Sequence, residues 1–322
     1  MLAQEHATQA THGAGQAVPH GGGHAASEGF NAGDTIIEHV SNSSIDHPLI
    51  HLPTIAGIDL SVTKHVFMLW LVAAVVFLLF TTVVRRFLKS GRPVPTGFMS
   101  AIEAVVLFVR DDIVLPNVGR KWVNTWTPLI LTFFVFILSA NAIGLIPIFD
   151  VVALLDHYVL HTAPDSFLKQ VVHGGTTATA NFNVTAALAT ITFCAIIVAG
   201  TKAHGFVKHW MNLVPHGLAW PIYILLIPIE LMGMLVRPFA LTMRLAANMT
   251  GGHIAILAIL SFVFLFAEKF GQAIAGIGVG VVLSLPLAVG ISTLEIIVVI
   301  VQAYVFTLLT AVFIGMAIHA HH

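Results

Sequence analysis

Residues 237–254 read RPFALTMRLAANMTGGHI and lie inside an apolar run that extends from about residue 221 to 267. Two arginines, an asparagine and a histidine interrupt it. A guanidinium group does not shed its proton at any workable pH, and ionisable side chains at membrane depth are costly enough that a function or a partner charge is the default reading for them. The length of the run matters as much as its polarity. As helices at ~1.5 Å per residue, residues 221–267 and a second run at 279–318 would be about 70 and 60 Å long, against a hydrocarbon layer of ~30 Å. Neither stands upright across a bilayer. Each is strongly tilted or broken, with Pro228, Pro238 and Pro286 as natural bend points; the alternative is two spans joined by a tight turn, for which Gly251-Gly252 is available.

The rest of the chain has the same character. Its 322 residues are 57% hydrophobic and 9% charged, with a formal net charge of -1 and one cysteine. Further apolar spans at 64–84, 124–147 and 184–201 are each near the length a membrane helix requires. The fold class is therefore an all-α polytopic membrane protein with five membrane helices. A near-neutral chain with no basic cluster outside its short loops argues against nucleic acid as a partner. A lone cysteine, Cys194, excludes an intrachain disulfide or thiolate metal site, and its apolar surroundings at 191–198 predict a core position.

Residues 1–33 are rich in His, Gly and Ala and lack the positive and apolar regions of a secretory signal; they read as a disordered tail. His6, His12, His20 and His24 have no regular ligand spacing, so no metal site is assigned to them. Residues 34–63 are mixed in polarity and are expected at the extracytoplasmic membrane surface, 64–318 form the membrane domain, and 319–322 are a short tail. No Lys or Arg precedes Lys64, whereas Arg85, Arg86, Lys89 and Arg92 follow the first span and Lys202 and Lys208 the third. By the positive-inside rule the N-terminus is outside and the C-terminus cytoplasmic. Residues 96–117 carry Glu103, Arg110, Asp111 and Asp112 on an otherwise apolar sequence, which predicts an interfacial helix on the cytoplasmic side.

Glu230, Arg237 and Arg244 recur every seven residues and Asn248 follows four later, so all four share one helical stripe. Arg237, beside Pro238, has a structural alternative in snorkelling to the interface; Arg244, with apolar neighbours for many residues beyond it, does not. In the last run Glu295 and Gln302 are again seven apart. If the two long helices are antiparallel with Gln302 level with Arg244, then Glu295 and His253 lie about 10 and 13 Å further toward the outside. By phase His253 points away from Arg244. A histidine, which titrates near neutral pH, beside a carboxylate at similar depth suits a proton relay; a neutral structural pair is the alternative.

ALTMRLAANM, with Arg244 four residues before Asn248, resembles the signature of ATP synthase subunit a, the stator subunit beside the rotating c-ring. The resemblance covers about residues 50–318. It includes Asn141 with the turn at 144–147, NFNVT with Asn183 at the start of the third span, Glu230, and Gln302 in IIVVIVQAYVFTLLT. What it implies is a subunit without catalytic activity or cofactor of its own, in a cell inner membrane. There it translocates protons through two half-channels to the c-ring, which the two overlong helices face as a tilted hairpin. Subunit b and other Fo and F1 subunits are the further partners implied. Arg244, Asn248, His253, Glu295, Gln302 and Glu230 would carry protons or separate the channels, while Arg237, Asn141 and Asn183 would be structural or channel-lining. In many members the acid lies in the signature helix and the histidine in the last; here His253 and Glu295 look exchanged, as they are in some other members. A secondary transporter fits poorly, since no inverted repeat or paired broken helices are visible, and a non-transporting assembly subunit would not need a titratable pair at one depth.

Overall fold

The computed structural model describes residues 33, 61, 63–91, 94–145, 177–211, 220–269 and 273–319. All of the histidine-rich tail but its last residue, nearly all of segment 34–63 and the last three residues lie outside these. Among the described residues five helices are long and apolar enough to cross a membrane. They are α1 (Lys64–Ser90), α4 (Val123–Leu145), α5 (Phe182–His204), α7 (Trp220–Lys269) and α8 (Ala273–Ile318). The expected spans are all present, and among the described residues there is no strand. The chain is an all-α polytopic membrane protein.

Both overlong runs are single helices, 50 and 46 residues long, with the prolines and Gly251-Gly252 inside them. This settles the choice against two spans joined by a turn. At ~1.5 Å per residue they reach about 75 and 69 Å, so neither crosses upright. They pack on each other along their length. Arg237 lies over the Phe313 ring, Asn248 bonds Gln302, and Gly280 abuts Val263; the partner number on α8 falls as that on α7 rises, so the helices are antiparallel. At Gly280 an added Cβ would lie 2.7 Å from the Val263 Cα. Small residues at such crossings let apolar helices approach closely where lipid removes any hydrophobic drive to associate.

The segment expected at the interface is a helix in three parts. It begins as α2 (Phe98–Leu107), widens to π-helical winding over Phe108–Val114, and ends as α3 (Leu115–Val118). Pro116 accounts for the widening, because it has no N–H for the carbonyl four residues before it and its ring crowds that carbonyl. Asn117 Nδ2 compensates by donating to the Ile113 carbonyl at 2.7 Å. Glu103, Arg110, Asp111 and Asp112 face outward, while Val109, Ile113, Val114 and Val118 are fully buried. Their partners in the core come from α4, α5, α7 and α8, with the Phe133 and Phe306 rings edge to face at 5.6 Å.

α5 starts where the side chain of Asn181 accepts a hydrogen bond from the Asn183 backbone N–H at 2.8 Å, an N-cap that satisfies one of the otherwise orphaned first-turn donors. The core position expected for Cys194 is not observed: the residue is exposed, on the same outer face as Ile191 and Val198. Apolar neighbours in sequence do not distinguish core from lipid-facing surface in a membrane helix, which is the reason for the difference.

Gly315 lies directly against the Asn117 carbonyl, which a Cβ would overlap. Elsewhere in a helix Gly→Ala is stabilising by roughly 0.5–1 kcal/mol. The expectation is opposite signs at two positions: Gly315→Ala lowers stability by about 1–3 kcal/mol through overpacking, and Gly233→Ala, where nothing lies within 4 Å, leaves it unchanged or raised. Thermal unfolding midpoints in detergent check this.

Candidate functional site

The antiparallel register of α7 and α8 builds a polar seam in an otherwise apolar hairpin. Asn248 Nδ2 donates to Gln302 Oε1 at 3.1 Å. One turn further along α7, a Cβ at Gly252 would lie 2.6 Å from Glu295 Oε1, so the Glu295 carboxyl rests on bare glycine backbone. Glu295 and Gln302 are each 5% exposed. Both Glu295 oxygens are buried without a hydrogen-bond partner among the described residues. His253 follows Gly252 in the chain, and its Nε2 is 3.4 Å from Thr177 Oγ1, with the donor set by the imidazole tautomer. His253 and Glu295 therefore do share a depth.

One part of the expected register is corrected. Gln302 bonds Asn248 and is level with it, not with Arg244. Helical rise alone cannot choose between alignments that differ by a turn; the amide pair can, since burying Gln302 unpaired would cost about 1–3 kcal/mol. Arg244 instead belongs to an outward stripe with Ala240, Met243, Ala247, Asn248 and Gly251, opposite the buried Leu241 and Leu245. Among the described residues it has neither a hydrogen bond nor an ion pair. Phe239 and Ile254 on α7 and Leu294 and Val301 on α8 are exposed apolar residues of the same hairpin.

Glu230 and Arg237 form a pair of their own, with Nη2 of the arginine 3.4 Å from Oε1 of the glutamate. The Arg237 guanidinium also lies 5.6 Å from the centroid of the Phe313 ring, a cation–π contact. Both charges of the pair are partly exposed, so the contact orients the side chains more than it stabilises the fold. Asn141, fully buried, accepts a hydrogen bond from Thr179 Oγ1. Asn183 is exposed and its side chain is not drawn into the seam; the capping role next to it belongs to Asn181.

Sequence reasoning missed the short stretch that closes the seam. Thr177 precedes one turn of 3-10 helix at Ala178–Ala180, and from this stretch Thr177 reaches His253, Thr179 reaches Asn141, and the Ala180 carbonyl accepts from Thr250 Oγ1 at 3.3 Å. Gly144 makes room for it, since a Cβ there would overlap the Thr177 side chain. Its only sequence signal is the threonine-rich TTATAN that runs into the third span.

The family profile described as ATP synthase A chain matches residues 66–315, the part of the chain that holds all of these contacts. The chain belongs to the ATP synthase subunit a family. It is 38% identical over 298 residues to ATP synthase subunit a 2 of Chlorobium luteolum, covering 90% of this chain and 77% of that protein. Similarity to ATP synthase subunit a of Chlorobium phaeobacteroides is also 38%, over 98% of this chain and 82% of the relative. The protein of that name from Anaeromyxobacter dehalogenans is 35% identical over 99% and 77%. Proton transport follows from membership of the ATP synthase subunit a family.

The two adjacent glycines give a direct test of the seam. Gly252→Ala should push the Glu295 carboxyl aside and slow ATP-driven proton pumping in vesicles several-fold, whereas Gly251→Ala, with nothing within 4 Å, should leave the rate near wild type.

Proposed function

We propose that this chain is the proton-translocating stator subunit of an F-type ATP synthase, and that Arg244 separates two aqueous half-channels that meet the c-ring. The observation that carries the reading is the position of Arg244: a permanent positive charge on the outward face of a long helical hairpin, with no counter-charge bonded to it among the described residues. In a membrane such a group needs a partner charge. A carboxylate on each c-subunit supplies one in turn as the ring rotates past.

Protons reach the ring from outside through a half-channel lined by His253, Glu295 and Asn248. The buried Glu295 and the neighbouring imidazole exchange protons across water, and Thr177 orients the imidazole. Gln302 acts at one remove, fixing the amide of Asn248 one turn from the guanidinium. A protonated c-subunit carboxyl is neutral and can face lipid. At the end of its turn it meets the second half-channel, to which Glu230 contributes while Arg237 holds Glu230 in place. The field of Arg244 favours the ionised carboxylate, so the proton leaves before the carboxylate passes, and the same charge repels protons that would run from one channel to the other. Lysine is a poor substitute because it loses its proton when desolvated and lacks the planar fork.

The c-ring, subunit b and other Fo and F1 subunits are the partners on this reading, in a cell inner membrane. Replacing Arg244 by Ala, Gln or Lys is expected to abolish proton-driven ATP synthesis in an assembled complex, with passive proton leak once the charge is gone. Retention of half the wild-type synthesis rate by Arg244→Ala in inverted vesicles would sink the proposal. The orientation, N-terminus outside and C-terminus cytoplasmic, is tested in a chain whose exposed Cys194 has been replaced. A cysteine at position 27 should react with an impermeant thiol reagent on intact spheroplasts and one at position 90 should not; the reverse pattern would exchange the two half-channels.

A further inference from the structure

Away from the polar seam, three membrane-crossing helices end together. α4 begins at Val123, α5 ends at His204 and α8 at Ile318, and between these ends lies a cavity of about 280 Å³. Its walls include Arg120, Lys121, the half-buried Trp122 and His319, with the buried Val118 and Ile318 beneath them and no carboxylate among the lining residues. That volume is several times the ~30 Å³ of a water molecule, enough for a phosphate with part of its ester.

The local structure concentrates positive potential there. Gly119 has φ 82, a left-handed conformation that glycine tolerates at no steric cost. Its carbonyl accepts from the backbone N–H groups of both Trp122 and Val123, which closes a tight loop and sets Arg120 and Lys121 side by side. The N-terminal end of α4, which follows, adds its partial positive charge. Helix C-termini would work against an anion, but two carbonyls at these ends are occupied. His204 Nε2–H donates to the Ile318 carbonyl at 2.9 Å and His319 Nε2–H to the Val118 carbonyl at 3.2 Å.

The surroundings place the cavity at headgroup level. Lys121 Nζ lies 5.4 Å from the centre of the Trp122 ring. Directly after α5, the short helix α6 (Phe206–Met211) exposes Phe206, Val207 and Trp210. Aromatic rings beside basic side chains at the ends of membrane helices are the composition of a membrane–water interface.

We propose that this cavity binds the phosphate group of an anionic phospholipid in the leaflet at which α8 ends. Arg120 offers a bidentate fork and Lys121 a point charge to the phosphate oxygens, while the half-buried ring of Trp122 receives the apolar start of the glycerol ester. Free phosphate presents the same anion, but it has no use for the apolar wall and does not concentrate at the bilayer boundary.

The test uses the intact complex in nanodiscs that contain photoactivatable phosphatidylglycerol or photoactivatable phosphatidylcholine, with cross-links mapped to peptides of this chain around residues 119–126. Phosphatidylglycerol should label them well above phosphatidylcholine. Labelling should fall on the order of thirtyfold in Arg120→Gln/Lys121→Gln, at two lost charges near an anionic lipid surface, and persist in Arg120→Lys/Lys121→Arg. Should the double glutamine variant fail to assemble, Arg120→Gln alone carries the comparison with a loss of about fivefold. Equal labelling by the two lipids, or labelling unchanged by loss of charge, overturns the proposal. Suppression of the labelling by millimolar inorganic phosphate present before photolysis also overturns it, by assigning the cavity to a free anion.

Discussion

The alignment of α7 against α8 is the constraint on which the rest of the molecule depends. Two apolar helices in lipid gain nothing from hiding hydrophobic surface from each other, so their relative position is set by close packing and by polar groups that need one another. Here the amide pair of Asn248 and Gln302 and the close approaches at Gly252 and Gly280 all demand the same antiparallel register. A slip of one turn would bury an amide unpaired and drive a Cβ into a neighbour. With the register fixed, Glu295 and His253 fall at one depth and the stripe bearing Arg244 faces away from the core.

The other helices serve that hairpin. α4 and α5 support it from one side through a core in which Phe133 meets Phe306 and Leu241 and Leu245 are enclosed. The π-helical segment and α3 wedge in beside the far end of α8, where Gly315 admits the Asn117 carbonyl. The stretch at 177–180 bridges α4 and α7, since Asn141, Thr250 and His253 each bond to it. A rigid inner side and a bare outer side result: α7 and α8 leave a long row of large apolar residues exposed, broken by a guanidinium.

Much of this was legible in the sequence because membranes leave few options. Spans, helix class and the amphipathic stretch near residues 98–118 follow from hydropathy and length, and the stripe of Glu230, Arg237, Arg244 and Asn248 from helical period alone. What was not legible required knowledge of a second element. The partner of Gln302 depends on an interhelical register that no single-helix periodicity contains. Cys194 was misplaced because core and lipid-facing residues are equally apolar. The π-helical widening has a cause in Pro116, yet the proline marks only the place, and the bridging threonines lie in a stretch whose composition resembles an ordinary loop.

The bare backbone at Gly252 also bears on the exchange of acid and histidine that the family resemblance implies. Because residue 252 contributes no side chain, the space between the helices at that depth is a shared volume open to a group from either one. A carboxyl from α8 fills it here. A chain that carries its acid on α7 and its imidazole on α8 would present the same two groups to the same volume with their anchors reversed. What such a volume requires is an occupant, whichever of the two helices anchors it.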